Sequence, residues 1–166
     1  MRRRYRGEYH ASSRGLGQIP QGPVPVQPPA PKIIAEDFYI YAILFEDLAA
    51  GGTDTGFIQI EADSDFLIQK LTYFSDIDGS AQQFQTMDIP LVTIVVVDTG
   101  SGRQIMNQAI PIPSLFGDGR LPYILPTPKL FTKNTRINVT VTNFSSATEY
   151  DNIYINFEGK KIFTSG

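Results

Sequence analysis

Alternating apolar and polar residues near the C-terminal end constrain the fold of this chain more than any other feature. In residues 137–142, Ile and Val occupy every second position, with Asn and Thr between them. The same period of two returns in residues 153–158, where Ile, Ile and Phe alternate with Tyr, Asn and Glu. Successive side chains of a β-strand point to opposite faces, so the pattern predicts two half-buried strands. The polar residues 143–151 are predicted to form the loop between them.

Gly159 interrupts the second of these strands. A glycine inside a strand often marks a β-bulge or a place where another backbone approaches closely. We therefore expect one of these two features at Gly159.

Six further segments carry strand patterns, and none of the chain has a convincing amphipathic helical period. Residues 37–46 are apolar or aromatic on both faces, which is typical of a strand covered on both sides. The remaining predicted strands are residues 56–62 and 66–74, expected to form a hairpin, a central strand at 91–97 with its return at 103–108, and a short edge strand at 123–125.

About eight short strands joined by polar loops and Pro/Gly crossovers predict an all-β protein with an antiparallel β-sandwich. With about eight strands in ~130 residues, a jelly-roll-like sandwich is favoured over an immunoglobulin-like one. The immunoglobulin alternative stays open, although the chain has neither the Trp nor the disulfide that is typical of that fold.

An extended N-terminal arm, residues 1–32, is predicted to precede the sandwich domain, residues 33–166. Residues 20–31 hold six of the twelve prolines, which predicts an extended polyproline II conformation. Residues 1–32 carry a net charge of +5, from six basic residues and one acid, and the rest of the chain carries −8, from 8 basic and 16 acidic residues. A basic arm on an acidic body favours an acidic partner surface.

The partner-binding residues of the arm are predicted to be its arginines, two tyrosines and four of its prolines: Arg2, Arg3, Arg4, Tyr5, Arg6, Tyr9, Arg14, Pro23, Pro25, Pro28 and Pro29. Arginine forms bidentate pairs with carboxylates on adjacent protein subunits. The same arginines could bind nucleic acid electrostatically while the tyrosines stack on bases. We favour the protein partner over nucleic acid, because the acidic body itself supplies carboxylates.

Residues 37–46 are predicted to need a second cover besides the domain core. That cover is either the arm or a neighbouring subunit. We assign the subunit interface to three aromatic residues of one face, Tyr39, Tyr41 and Phe45.

No catalytic, metal or cofactor site is predicted. Cysteine is absent, which excludes thiol catalysis, disulfides and thiolate metal sites. The one histidine, His10, lies in the arm, so the domain cannot hold a Ser-His-Asp triad or the His-based metal site of a cupin enzyme. Asp76 and Asp78 resemble a fragment of a calcium loop that lacks its later ligands. Asp63 and Asp65 flank a turn, where aspartate commonly bonds its own backbone.

Neither a membrane segment nor a signal peptide is expected. No apolar run approaches the ~18 residues that a membrane span needs, and no apolar region follows the basic N-terminus. Asn138-Val-Thr and Asn143-Phe-Ser match the glycosylation pattern, and without a secretion signal we interpret them as ordinary strand and loop residues.

Three prolines, Pro122, Pro126 and Pro128, are followed by KLFTKNTRINVTVTN and then by NIYINFEGKKIF. This layout resembles the small β-sandwich cement, or decoration, proteins of tailed-bacteriophage heads. The resemblance implies a non-enzymatic virion protein that binds the major capsid protein on the outer surface of an assembled capsid. It also implies that an extended terminus lies across neighbouring capsid subunits. The protein itself would form trimers and would be assembled onto the virion in the host cytoplasm.

Two alternative functions stay open from the sequence. One is a small jelly-roll coat protein whose arginine arm contacts nucleic acid. The other is a tail-associated carbohydrate-binding module that uses exposed tyrosines such as Tyr123 or Tyr154 as sugar platforms.

Overall fold

Two antiparallel β-sheets lie face to face in the computed structural model, which describes residues 32–77 and 89–165. The arm residues 1–31 lie outside the described residues, so its conformation and the domain division stay predictions. In chain order the described elements are β1 (Lys32–Leu48), β2 (Thr53–Gln59), β3 (Asp65–Asp76), β4 (Val92–Asp98), β5 (Arg103–Gln104), β6 (Ile110–Pro111), a 3-10 turn (Ile112–Ser114), β7 (Tyr123–Phe131), β8 (Arg136–Asn143) and β9 (Tyr150–Ser165).

The strand order is that of a jelly roll. Sheet A has the order β1-β9-β3-β7, and sheet B has the order β2-β8-β4-β5, with β6 also paired to β4. The short strands β5 and β6 pair with different parts of β4, so together they occupy one edge position. Apart from this one edge, each strand lies in the opposite sheet from the strand before it, which matches a double-sheet jelly roll. The predicted all-β, jelly-roll-like sandwich is confirmed.

Side chains that alternate toward the space between the sheets form the core. The residues of the two C-terminal strands that were expected to face inward are fully buried: Ile137, Val139, Val141, Ile153, Ile155 and Phe157. β4 contributes Val92, Ile94 and Val96, also fully buried, which confirms the central strand predicted there. Burying one such side chain stabilises the fold by about 1.5–3 kcal/mol.

Gly159 lies where the backbone of β9 approaches that of β3. A Cβ atom at this position would stand 2.0 Å from the carbonyl oxygen of Leu67. Opposite it, β3 carries a bulge between Ile68 and Lys70. The expectation for Gly159 is therefore confirmed, with the bulge on the neighbouring strand and the close approach at the glycine itself.

The hairpin predicted for residues 56–62 and 66–74 is wrong. β2 pairs with β8 in sheet B, whereas β3 pairs with β9 and β7 in sheet A. The chain crosses from one sheet to the other between these strands, and the buried Ile58 and Phe66 reach the same core from opposite sides. Alternation identifies each segment as a strand but carries no information about which sheet it joins.

Two further strands differ from the predicted lengths. Of residues 103–108, only Arg103–Gln104 form a strand with β4, and the Ile105 N–H adds one further hydrogen bond to the Val96 carbonyl at 3.1 Å. The edge strand predicted at 123–125 extends to Phe131 as β7, although it contains Pro126 and Pro128. Proline is tolerated there because an edge strand needs hydrogen-bond donors on one side only. The register with β3 jumps from Ile124 to Lys129, so the prolines fall in the unpaired interval.

Candidate interaction surface

β1 is a 17-residue strand at the edge of sheet A. It pairs with β9 along almost its whole length. Among the described residues, no strand pairs with its other side. An edge strand of this kind presents a row of backbone N–H and C=O groups that are available to a further strand.

The two faces of β1 differ in burial, although both are apolar in sequence. On the inner face, Tyr41 and Phe45 are 8% and 1% exposed and belong to the core. On the outer face, Phe38, Ile40 and Leu44 are 69%, 44% and 37% exposed. We call these three side chains the outer strip of β1, and they form exposed apolar surface on its central part.

The predicted subunit interface therefore needs a correction in its residues. Tyr41 and Phe45 face the core, and Tyr39 is half-buried with its ring 4.8 Å from that of Tyr41. That β1 contacts another subunit stays a prediction, now assigned to the outer strip. The face could not be chosen from the sequence, because Glu36 and Asp37 place one carboxylate on each face at the start of this apolar run.

Apolar surface continues from the outer strip across the neighbouring strands. Leu44 lies opposite Tyr154 of β9, and Tyr154 lies opposite Phe74 of β3. The rings of Tyr154 and Phe74 are tilted, with centroids 6.1 Å apart. Tyr154 is 39% exposed, so this row connects the edge of sheet A with its middle.

Polar residues on the same face are held by one another. The Thr72 hydroxyl donates to Glu158 Oε1 at 2.9 Å and accepts from Asn156 Nδ2 at 3.2 Å. Lys160 Nζ donates to Glu36 Oε2 at 2.9 Å. These bonds fix the side chains beside the outer strip and give the strip a defined polar border.

A nearly buried lysine supports β1 from the inner side. The side chain of Lys161 is 9% exposed, forms an ion pair with the Glu61 carboxylate, and places Nζ 4.2 Å from the centroid of the Tyr39 ring. Burial is the largest single influence on Lys161 and lowers its pKa, but the hydrogen bond with Glu61 and the charges of Tyr41, Glu61 and Asp63 together raise the pKa above its ordinary value. Burial raises the pKa of Tyr41, whose hydroxyl accepts from the Glu61 N–H at 3.4 Å. The Lys161–Glu61 ion pair therefore connects β9 to the turn that follows β2.

Three of the four aspartates singled out in the sequence, one from the calcium-loop fragment and two at the turn, have hydrogen-bond partners in the structure. Asp76 accepts from the backbone N–H of Asn152 at 2.7 Å, and Asp78 lies outside the described residues. Asp63 accepts from the Ser64 hydroxyl at 2.9 Å, and Asp65 accepts from the Lys133 N–H at 2.8 Å. Within residues 32–77 and 89–165, no group of three or more His, Cys, Asp or Glu side chains could hold a metal ion.

Other residues singled out in the sequence have distinct positions. Asn143 is fully buried, and its amide donates to three backbone carbonyls, of Leu48, Ala49 and Thr148. Tyr123 is exposed on β7 opposite Leu71, in a different register row from Tyr154. The two tyrosines therefore do not form one shared platform. The predicted arm residues from Arg2 to Pro29 and His10 lie outside the described residues.

In the part of the chain that the structure describes, no helix is long and apolar enough to cross a bilayer. Comparison with the sequence models of known protein families gives no match for this chain, and comparison with curated protein sequences gives no significant relative. Evidence about function therefore comes from the surface of the molecule itself, above all from β1.

Proposed function

We propose that this protein is a structural component of a virion that binds the outer surface of an assembled capsid and stabilises it. The observation that carries the proposal is the outer strip of β1, where three large apolar side chains lie together at an unpaired strand edge. Contiguous exposed apolar surface on a folded domain commonly marks a protein-binding site. The major capsid protein is the partner we propose for this surface of sheet A.

The charge distribution supports a second contact through the arm. The arm residues 1–31 precede β1 directly, and residues 1–32 carry +5 against −8 for the remainder. Arginines of the arm would pair with carboxylates of neighbouring subunits. Once the domain is docked, the arm binds at a high effective concentration, so weak contacts add to the total affinity.

Stabilisation of the shell follows from mass action. A protein that binds the assembled capsid, and not its separated subunits, shifts the equilibrium toward the assembled state. The jelly-roll fold is compatible with this role but does not decide it, because the same fold serves capsid proteins, lectins and cupins.

The test is binding to capsids assembled from the major capsid protein encoded in the same genome. Full-length protein and a variant lacking residues 1–31 are compared by co-sedimentation after circular dichroism confirms that both are folded. We expect the deletion to weaken binding at least about tenfold, because it removes the contacts that act at high effective concentration. Equal binding of the two proteins would refute the role of the arm, and no binding of either would refute the proposal.

The basic arm on a jelly roll also favours a second candidate, a coat protein that contacts nucleic acid. A variant with Arg2, Arg3, Arg4 and Arg6 changed to Gln is the matched control for binding of the full chain to single- and double-stranded nucleic acid. Electrostatic binding predicts an affinity that falls steeply as salt is raised, and less steeply for the variant. A weak response that is flat across the salt series removes this candidate.

A further inference from the structure

A cleft of about 310 Å³ is lined by residues of both sheets, from the edge strand β7 of sheet A and the edge strand β5 of sheet B. Clefts that hold small ligands commonly measure about 300–1,000 Å³. We call this one the edge cleft. Its polar lining consists of Asp98, Ser101, Arg103, Lys129, Thr132 and Thr135.

Both edge strands place a cation at a position that faces the space between the sheets. Lys129 of β7 lies opposite Ile68, a core residue that is 1% exposed. Arg103 of β5 lies opposite Asp98, which in turn lies opposite the fully buried Ile137. Directly opposite residues of an antiparallel pair share a face of the sheet, so Lys129 and Arg103 both belong to inner faces. Alternation would predict apolar residues at these two positions.

Neither cation forms an ion pair with a carboxylate in the described part of the chain, where the ion pairs involve Lys160 and Lys161. Lys129 Nζ instead lies over the Phe131 ring, 5.2 Å from its centroid. Two positive charges that share one cleft repel each other. An anion placed between them would replace this repulsion by two attractions.

The carboxylate of Asp98, which also lines the edge cleft, is bound by its own turn. Its Oδ1 accepts from the Gly100 N–H at 3.0 Å and from the Ser101 N–H at 3.3 Å, and its Oδ2 accepts from the Ser101 hydroxyl at 2.6 Å. The cleft therefore holds two cations against one carboxylate that already has three donors. This excess of positive charge stands out in a part of the chain that carries −8 overall.

A pair of threonines adds a hydrogen-bond donor to the edge cleft. The hydroxyl oxygens of Thr132 and Thr135 are 3.0 Å apart. Each hydroxyl has one hydrogen and the bond between them uses one, so the other hydrogen can be donated to a ligand. Thr135 is buried, and a Cβ atom on Gly100 would stand 2.9 Å from its Oγ1. This packing holds the donor in place before a ligand binds, which lowers the entropy cost of binding.

We propose that the edge cleft binds a phosphate group. Arg103 supplies a planar guanidinium that can hold two phosphate oxygens at once, and Lys129 supplies a compact ammonium. The threonine pair supplies a third donor. A free phosphate ion and the backbone of a nucleic acid present this same group. β7 and β1 are opposite edges of sheet A, so the site is separate from the outer strip and does not rest on capsid binding.

The first experiment titrates inorganic phosphate into the full-length chain by calorimetry, at constant ionic strength and without capsids. The cleft variant combines Arg103→Gln with Lys129→Met. Its matched control combines Arg120→Gln with Lys70→Met, which remove the same charges from exposed positions outside the cleft. Circular dichroism confirms that both variants are folded.

We expect the cleft variant to bind phosphate at least about tenfold more weakly than wild type, because it loses two charge-assisted contacts, and the control to bind as wild type does. Phosphate should also raise the Tm of wild type and of the control but not that of the cleft variant, since a ligand stabilises the state that binds it.

Inward-pointing charges on edge strands also discourage strand pairing, and that role needs no anion. Absence of saturable phosphate binding by wild type, or equal losses in the two double variants, would overturn the proposal. Because capsids are absent, these outcomes leave the proposed virion function untouched.

The second experiment distinguishes the two sources of phosphate. A short oligothymidylate is titrated into the chain in which Arg2, Arg3, Arg4 and Arg6 are changed to Gln, with and without the two cleft substitutions. A nucleic-acid site predicts that the oligonucleotide binds more tightly than inorganic phosphate and that the cleft substitutions weaken it at least about fivefold. A site for free phosphate predicts that only the binding of inorganic phosphate is weakened. Cleft substitutions that weaken neither ligand would overturn the site.

Discussion

The two edge strands of sheet A, β1 and β7, show that exposed apolar side chains alone do not define a docking edge. β7 exposes Ile124 and Leu130 by 66% and 49%, as much as β1 exposes Phe38 and Ile40. The strands differ in their backbones. β7 contains two prolines in an interval that does not pair even with β3, whereas β1 pairs with β9 through its whole central part.

Proline in an edge strand removes an N–H donor that an incoming strand would need. The apolar residues of β7 are therefore exposed on a strand that cannot continue the sheet. Those of β1 are exposed on a strand that can. Side-chain exposure and backbone availability together, rather than either by itself, mark β1 as the edge suited to a partner.

The largest expected effect is on the free energy of unfolding and comes from a substitution in β9, the strand that supports both edge strands of sheet A. β9 pairs with β1 on one side and with β3, the neighbour of β7, on the other. Gly159→Ala would place a methyl group against the Leu67 carbonyl, and we expect it to lower the free energy of unfolding by about 3 kcal/mol. Denaturant unfolding measures this change. Gly119→Ala, where a Cβ meets no atom within 4 Å, should change it by less than about 1 kcal/mol. Equal effects at the two glycines would contradict the close approach.

A smaller effect is expected from opening the second edge. Changing Pro126 and Pro128 to Val supplies two backbone donors to β7, each worth about 1 kcal/mol in a new ladder. We expect the variant to associate beyond the wild-type state at roughly tenfold lower concentration, as measured by sedimentation velocity. Pro122→Val, which lies outside β7, is the control and should behave as wild type. Unchanged association of the double variant would show that the prolines do not protect this edge.

The smallest expected effect concerns the inner support of β1 at alkaline pH. Burial raises the pKa of Tyr41 and, with the Asp118 carboxylate, that of Tyr73. Burial lowers the pKa of Lys161, but the Glu61 hydrogen bond and the neighbouring charges together raise it above its ordinary value. In the folded protein, each of these three side chains holds its proton more tightly than it does in the unfolded chain. The stabilisation is therefore present below about pH 10 and is lost as pH rises through the folded pKa values.

Denaturant unfolding at a series of alkaline pH values measures this loss. We expect the free energy of unfolding to fall above about pH 10, and to fall less steeply in Tyr41→Phe. Tyr123→Phe removes an exposed hydroxyl and serves as the control. A slope that is the same in Tyr41→Phe as in wild type would contradict the contribution of Tyr41.

Much of the fold could be predicted from local pattern. Alternation identified β8 and the central part of β9 because one face of each is fully buried. The same pattern failed for the pairing of β2 with β3, since a jelly roll sends successive strands to opposite sheets and local sequence does not record the crossing. The register jump in β7 was also beyond prediction, because it depends on which strand lies beside its prolines.

For the candidate surface, the sequence identified the strand but not its face. Residues 37–46 carry apolar side chains on both sides, and carboxylates at both ends of this run are divided between the faces, so composition could not distinguish core from surface. The choice was made by packing: Gly56 of β2 lies against Ile43 and Phe45 and closes the inner side, while no described element covers Phe38.

By itself, the sequence determined that this chain forms strands and that residues 1–32 are basic while the rest of the chain is acidic. These properties follow from side-chain alternation and ionisation, both of which are local. Only the tertiary structure decided which strands are neighbours, which face of β1 is buried and which edges are protected, because these depend on contacts between residues far apart in the chain.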